Sequence, residues 1–160
     1  MKIRIKIASR LARVLLVFLA FLIGVKLASA TDVAVVTLKD SSVAATNSSD
    51  LAKTLKATHK WRNGRDLLVF LTDPSSPEMR VVAEKLLSMT PIDFRRSIEA
   101  ANKSRLVFVV VGSDDEALKM LQSNPSAVAL VNVYSINSSV DVWKIDGRLP
   151  FEPAYLLHGQ

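Results

Sequence analysis

Apolar residues along this chain fall into two kinds of pattern. Unbroken runs of strand length lie within 31–38, 67–71, 106–111, 127–133 and 140–145, most of them bounded by Gly, Pro, Asn, Asp or Ser. Runs of this kind predict strands, and the continuous ones predict strands covered on both faces. Between them, apolar positions recur three and four apart. Leu51 and Leu55 form one such set; Val81, Val82, Leu86 and Met89 another; Ile92, Phe94, Ile98 and Ala101 a third; Ala117, Leu118 and Leu121 a fourth. That spacing puts each set on one face of a helix. Strands alternating with helices predict an α/β domain, a mixed and mostly parallel sheet flanked by helices.

Turn chemistry separates these segments. Asn63-Gly64 tolerates the positive φ of a tight turn ahead of the 67–71 strand. Asp73-Pro74-Ser75-Ser76-Pro77 then breaks that strand and starts a helix, with Pro77 suited to the first turn because its missing N–H has no helical partner there. Thr90-Pro91 ends this helix and begins the next, with Asp93 in its first turn. Ser113 and Glu116 have capping-box spacing at the start of the helix that runs to Asn124-Pro125. The polar stretch 40–50 ends in capping residues, and Asp146-Gly147-Arg148 turns the chain into a proline-containing tail.

Charge looks informative until it is located. The net charge of +6 belongs to residues 1–30, which hold Lys2, Arg4, Lys6, Arg10, Arg13 and Lys26 and no acid. The other 130 residues balance fifteen Lys and Arg against fifteen Asp and Glu, so the footprint of a nucleic-acid binder is missing. A basic segment, an apolar run at 14–25 and Ala28-Ser29-Ala30 predict a secretory signal peptide cut after Ala30, leaving one domain over 31–160. The alternative is an uncleaved anchor, although twelve apolar residues fall short of the ~20 that span a bilayer. The absence of cysteine excludes disulfides, a thiolate metal site and a cysteine nucleophile.

Candidate chemistry gathers at Ser75, Ser76 and Arg80. Two hydroxyls and free N–H groups at a helix start, with a guanidinium one turn on, suit phosphate or a related oxyanion. The same residues also serve plain capping: Ser75 and Glu78 are spaced as a capping box, and Arg80 and Glu84 as an i,i+4 pair. At Gly112-Ser113, the acids Asp114, Asp115 and Glu116 already complement the helix dipole and repel an anion. Arg95, Arg96, Lys103 and Arg105 form a basic set interspersed with Asp93 and Glu99, the composition of a solvated face. His59 and His158 lack metal-ligand spacing, while Trp61 and Trp143 are expected in the core. No hydrolase elbow, phosphate-binding P-loop, zincin motif or dinucleotide fingerprint is present, so neither a catalytic residue nor a cofactor is predicted.

One ordered series of these features carries a resemblance. A Trp-x-Asn-Gly turn, a strand, a serine-containing elbow with an arginine on the next turn and a Thr-Pro helix start follow one another. Val111-Gly112-Ser113-Asp114, Leu118 and Asn124-Pro125 continue it, so that most of 32–133 resembles one lobe of the phosphate-type substrate-binding components of ABC transporters. Where that family commonly has Gly, Gly and Tyr, this chain has Ser126, Ala129 and Leu130. The resemblance implies a single-lobe periplasmic-binding-protein-like fold and a phosphate or oxyanion ligand at Ser75, Ser76 and Arg80. It also implies a membrane transporter or sensor protein, or a second copy, as partner. The alternative is an adaptor module that kept the lobe and binds no ligand.

Overall fold

The computed structural model describes residues 31–41, 47–61 and 64–159. The leader expected over 1–30 and Asn63 lie outside them. Among the described residues no helix is long and apolar enough to cross a membrane.

The apolar runs form five strands: β1 (Val33–Leu38), β2 (Val69–Leu71), β3 (Phe108–Val110), β4 (Val128–Asn132) and β5 (Val140–Val142). They make one sheet in the order β3-β2-β4-β1-β5. β2 pairs in parallel with both β3 and β4, while β1 is antiparallel to β4 and β5. Four strands therefore share one direction and β1 opposes them. The sheet is mixed: mostly parallel by strand direction, but half of its pairings are antiparallel because the reversed strand lies inside the sheet. Several strands are shorter than their apolar runs; Leu67 is fully buried yet precedes β2.

Helices cover both faces. α1 (Ser48–Lys53) and α2 (Pro77–Val81) each continue as a wider π-helical turn, over Thr54–Thr58 and Val82–Leu86. α3 is Pro91–Asn102 and α4 is Asp114–Ser123. Alternation along the strands divides the core in two. Val33, Val35, Val69, Leu71 and Leu130 pack with α1, α2 and α3, whereas Ala34, Val36, Phe70, Ala129 and Val131 pack with α4. Trp61 and Trp143 meet edge to face at 5.4 Å in the first layer, as expected for core anchors. Gly64 has φ +79° and donates its N–H to Trp61 O (2.9 Å), which closes the expected turn ahead of β2.

Two polar devices finish the sheet. Asn102 accepts from the N–H groups of Val107 (3.0 Å) and Phe108 (2.9 Å) and donates to Phe108 O (2.7 Å), blunting the outer edge of β3. At the start of β1, the buried Asp32 carboxylate accepts from Gly159 N–H (2.9 Å) and lies 2.7 Å from His158 Nδ1. Tyr155 O–H donates to Val33 O (3.0 Å), and Val33 N–H donates to Leu157 O (3.0 Å). The tail thus closes over β1. A Cβ at Gly159 would sit 2.1 Å from Thr31 Oγ1, so only glycine allows this approach.

Candidate functional site

The parallel strands β2, β3 and β4 end along one edge of the sheet. In an open α/β sheet this is where ligands bind, because the helices that follow aim their N-termini there. Residues 72–78 leave β2, residues 112–116 leave β3 and residues 132–135 leave β4. The three segments are joined through Asn132. Its side-chain amide donates to Glu78 Oε1 (3.2 Å), and its backbone N–H donates to Asp114 Oδ2 (3.0 Å). Ser135 Oγ also donates to Asp114 Oδ2, at 2.7 Å. Sequence reasoning missed Asn132; its place at the end of an apolar run marks it only as a strand terminus.

In the β2–α2 elbow the cap is Ser76, not Ser75. Ser76 Oγ accepts from Met79 N–H (3.2 Å), and the Ser76 N–H donates to Asp73 O (2.8 Å). The expected Ser75–Glu78 capping box therefore does not form. Pro77 takes the first helical position, one residue after Ser76, so the cap shifts with it. Glu78 turns instead to Asn132. Ser75 is exposed: its N–H donates to Asp73 Oδ1 (2.8 Å), and its Oγ accepts from Arg95 Nη2. Arg95 Nη2 also lies 3.3 Å from Asp73 Oδ1. Arg80 is exposed one turn beyond Ser76, and no ion pair joins it to Glu84 or another carboxylate among the described residues.

The structure thus brings Ser75 together with Arg95, a residue assigned from sequence to a separate solvated face. That basic set does not act as one surface. Arg95 serves the elbow, Arg96 pairs with Asp93 at 3.7 Å, and Arg105 pairs with Asp66 while donating to His59 O. The reason is positional: Arg95 and Arg96 stand in the first half of α3, whereas Arg105 lies beyond its end, beside Thr58, His59 and Asp66.

The β3–α4 elbow is closed by its own carboxylates. Ser113 Oγ accepts from Glu116 N–H (3.2 Å), as its spacing predicts. Glu116 Oε2 accepts from Gly112 N–H (2.7 Å), one residue earlier than in the standard box. Asp114 is engaged by Asn132 and Ser135. Asp114, Asp115 and Glu116 crowd this first turn, and their charge repels an anion.

Beside this edge two aromatic residues are open to solvent. Tyr134 (72% exposed) and Phe151 (69%) meet at 6.3 Å between ring centres. Elsewhere, burial first and the Asp32 charge second push the Tyr155 hydroxyl well above its ordinary 10.0.

No family model and no curated protein matches the chain. Solved structures do. The fold is similar to PstS from Borrelia burgdorferi, with TM-score 0.59 and 14% identity over 80% of this chain and 54% of that one. It is similar to a Clostridium perfringens protein described as a phosphate ABC transporter substrate-binding protein with bound phosphate. That likeness has TM-score 0.57 and 15% identity over 74% and 46% of the two chains. An ABC-type phosphate transport receptor from Vibrio cholerae gives TM-score 0.55 and 18% identity over 74% and 48%. At such identities the likeness is one of fold, and the chain spans about half the length of these proteins.

Proposed function

We propose that this chain is an exported, solute-binding-like lobe that binds phosphate or a related oxyanion, as a component of a phosphate transport or sensing system. The fold it has in common with phosphate-binding neighbours carries this reading. Ser75, Ser76 and Arg80 would hold the anion, joined by Arg95. The elbow lies at the carboxyl end of a parallel strand and carries two hydroxyls, with the Arg95 guanidinium against Ser75. Binding there is weak, because the donors are exposed and water competes for each of them. A second copy or a membrane protein would strengthen it by covering the edge. The leader at 1–30, removed after Ala30, would deliver the 31–160 domain across the membrane. No catalytic role is proposed.

Calorimetric titration of the purified, folded protein with phosphate and with sulfate tests this. Heat of binding at millimolar anion, reduced by Ser75→Ala or Arg80→Ala, is the expected result. No heat with either anion removes the reading.

A second reading rests on two observations. The N–H groups of Ser75, Ser76 and Met79 already have partners inside the elbow, and Tyr134 and Phe151 stand exposed beside it. An interaction module that binds a membrane sensor or transporter and no ligand would have both. Co-purification of a membrane protein that persists in Ser76→Ala and Arg80→Ala but is lost in Tyr134→Ala would favour it.

A further inference from the structure

We propose that residues 155–159 form a clasp over the start of β1, and that the Ala30–Thr31 bond is cut only before this clasp closes. The inference rests on removal of the leader after Ala30 and is independent of any ligand. Proteolytic cuts fall where the backbone is exposed and free of hydrogen bonds. Here the residues that follow the bond are held from two sides. Val33 pairs with Asn132, and the Asp32 carbonyl accepts from Val133 N–H at 3.0 Å. From the tail, the Leu157 carbonyl accepts from Val33 N–H (3.0 Å), and Tyr155 O–H donates to Val33 O (3.0 Å). Gly159 N–H donates to Asp32 Oδ1 (2.9 Å), and His158 Nδ1 lies 2.7 Å from the same oxygen. Asp32 and Val33 are buried, as are Tyr155 and Leu157. Lys85, on the turn that continues α2, donates to His158 O and fixes the tail to a third element.

The clasp joins residues 127 positions apart, so it forms only after everything between them has been made and delivered. Until then residues 31–33 have no tail to dock against. Once the tail has docked, the bond is reached only by local opening, and its cutting rate follows the population of the opened clasp. The two fates of the leader, removal or retention as an anchor, are then outcomes of one race between cutting and closure. Gly159 is the tightest point of the clasp, since a Cβ there would stand 2.1 Å from Thr31 Oγ1 and 2.7 Å from Thr31 O.

The test uses the full chain, leader included, with a purified signal peptidase in detergent and the products read by mass spectrometry. Diluted from urea straight into the enzyme, the chain is expected to lose residues 1–30 at least roughly tenfold faster than after refolding, with folding shown by circular dichroism. Gly159→Ala, which forces the tail off Thr31, should bring the refolded rate most of the way back to the unfolded one. Tyr155→Phe removes one bond of the clasp and should raise the refolded rate about fivefold. Ser113→Ala weakens the fold away from the clasp and should leave that rate within about twofold of the parent's. Equal rates before and after refolding overturn the clasp and leave the cut after Ala30 standing. An acceleration in Ser113→Ala as large as in Tyr155→Phe also overturns it, because global unfolding would then admit the enzyme. Where Gly159→Ala does not fold, Tyr155→Phe decides, and an unchanged rate removes the tail as the shield. An unfolded chain cut elsewhere, or not cut at all, removes the leader reading and the role of the clasp with it.

Discussion

The two strand-to-helix elbows are built from similar parts and behave differently. Each follows a parallel strand and caps its helix with a serine, Ser76 in one and Ser113 in the other. In the β3–α4 elbow the acids follow the cap, so Glu116 folds back onto Gly112 N–H and Asp114 holds Asn132 and Ser135. The β2–α2 elbow has an acid on each side of the cap: Glu78 follows it and reaches Asn132, and Asp73 precedes it. Asp73 closes the turn from outside the helix, and a guanidinium from α3 comes in to meet it. The difference lies in what the acids reach: Glu116 folds back onto its own elbow, whereas Asp73 is met by a guanidinium from α3. The sealed elbow is structural, while the other depends on exposed and displaceable contacts.

Substitutions separate the two, and the largest effect is expected at the sealed one. Asp114→Ala leaves the half-buried Asn132 N–H and Ser135 hydroxyl without their acceptor, at a cost of about 2 kcal/mol. The melting temperature should fall by roughly 8 °C, and an unchanged value would remove Asp114 as a link between the start of α4 and the end of β4. Ser113→Ala and Ser76→Ala should each cost about 1 kcal/mol as lost caps, readable in urea unfolding. The comparison sharpens when phosphate is added. Stabilisation of the folded state by millimolar phosphate should survive Ser113→Ala and disappear in Ser76→Ala. Loss in both, or in neither, would make the elbows equivalent.

Tyr155 supplies a control away from both elbows. Its folded-state value is raised, so the neutral phenol is favoured in the native protein and its contribution is complete below the ordinary 10.0. That contribution is lost as pH climbs from about 10 toward the raised folded value. Tyr155→Phe gives up the hydrogen bond to Val33 O, about 1 kcal/mol, and should flatten the alkaline limb of a stability–pH profile. A profile as steep as that of the parent protein would assign the alkaline loss to other groups. The smallest effect is expected for Arg95→Ala, whose exposed pair contributes about 0–1 kcal/mol to stability. A melting point lowered by more than about 5 °C would mean that Arg95 holds the fold together rather than waiting for a guest.

Local chemistry was legible along the chain because it depends on neighbours in sequence. Periodicity located every strand and helix named above, Pro77 and Pro91 marked helix starts, and Ser113 capped as its spacing required. The choice between Ser75 and Ser76 turns on Pro77: read as the first helical residue rather than only as a first-turn residue, it makes Ser76 the cap.

By itself, then, the sequence determined the alternating α/β order, the two-faced core and the serine-bearing elbow at the end of β2. Tertiary structure alone decided that β1 runs against its neighbours, that Asn132 ties Glu78 to Asp114, and that Arg95 rather than Arg80 reaches Ser75. The physical reason is range. Hydrophobic spacing and capping act within a turn or two of chain, whereas a hydrogen bond from α3 to the elbow exists only after the sheet has set both helices on one edge.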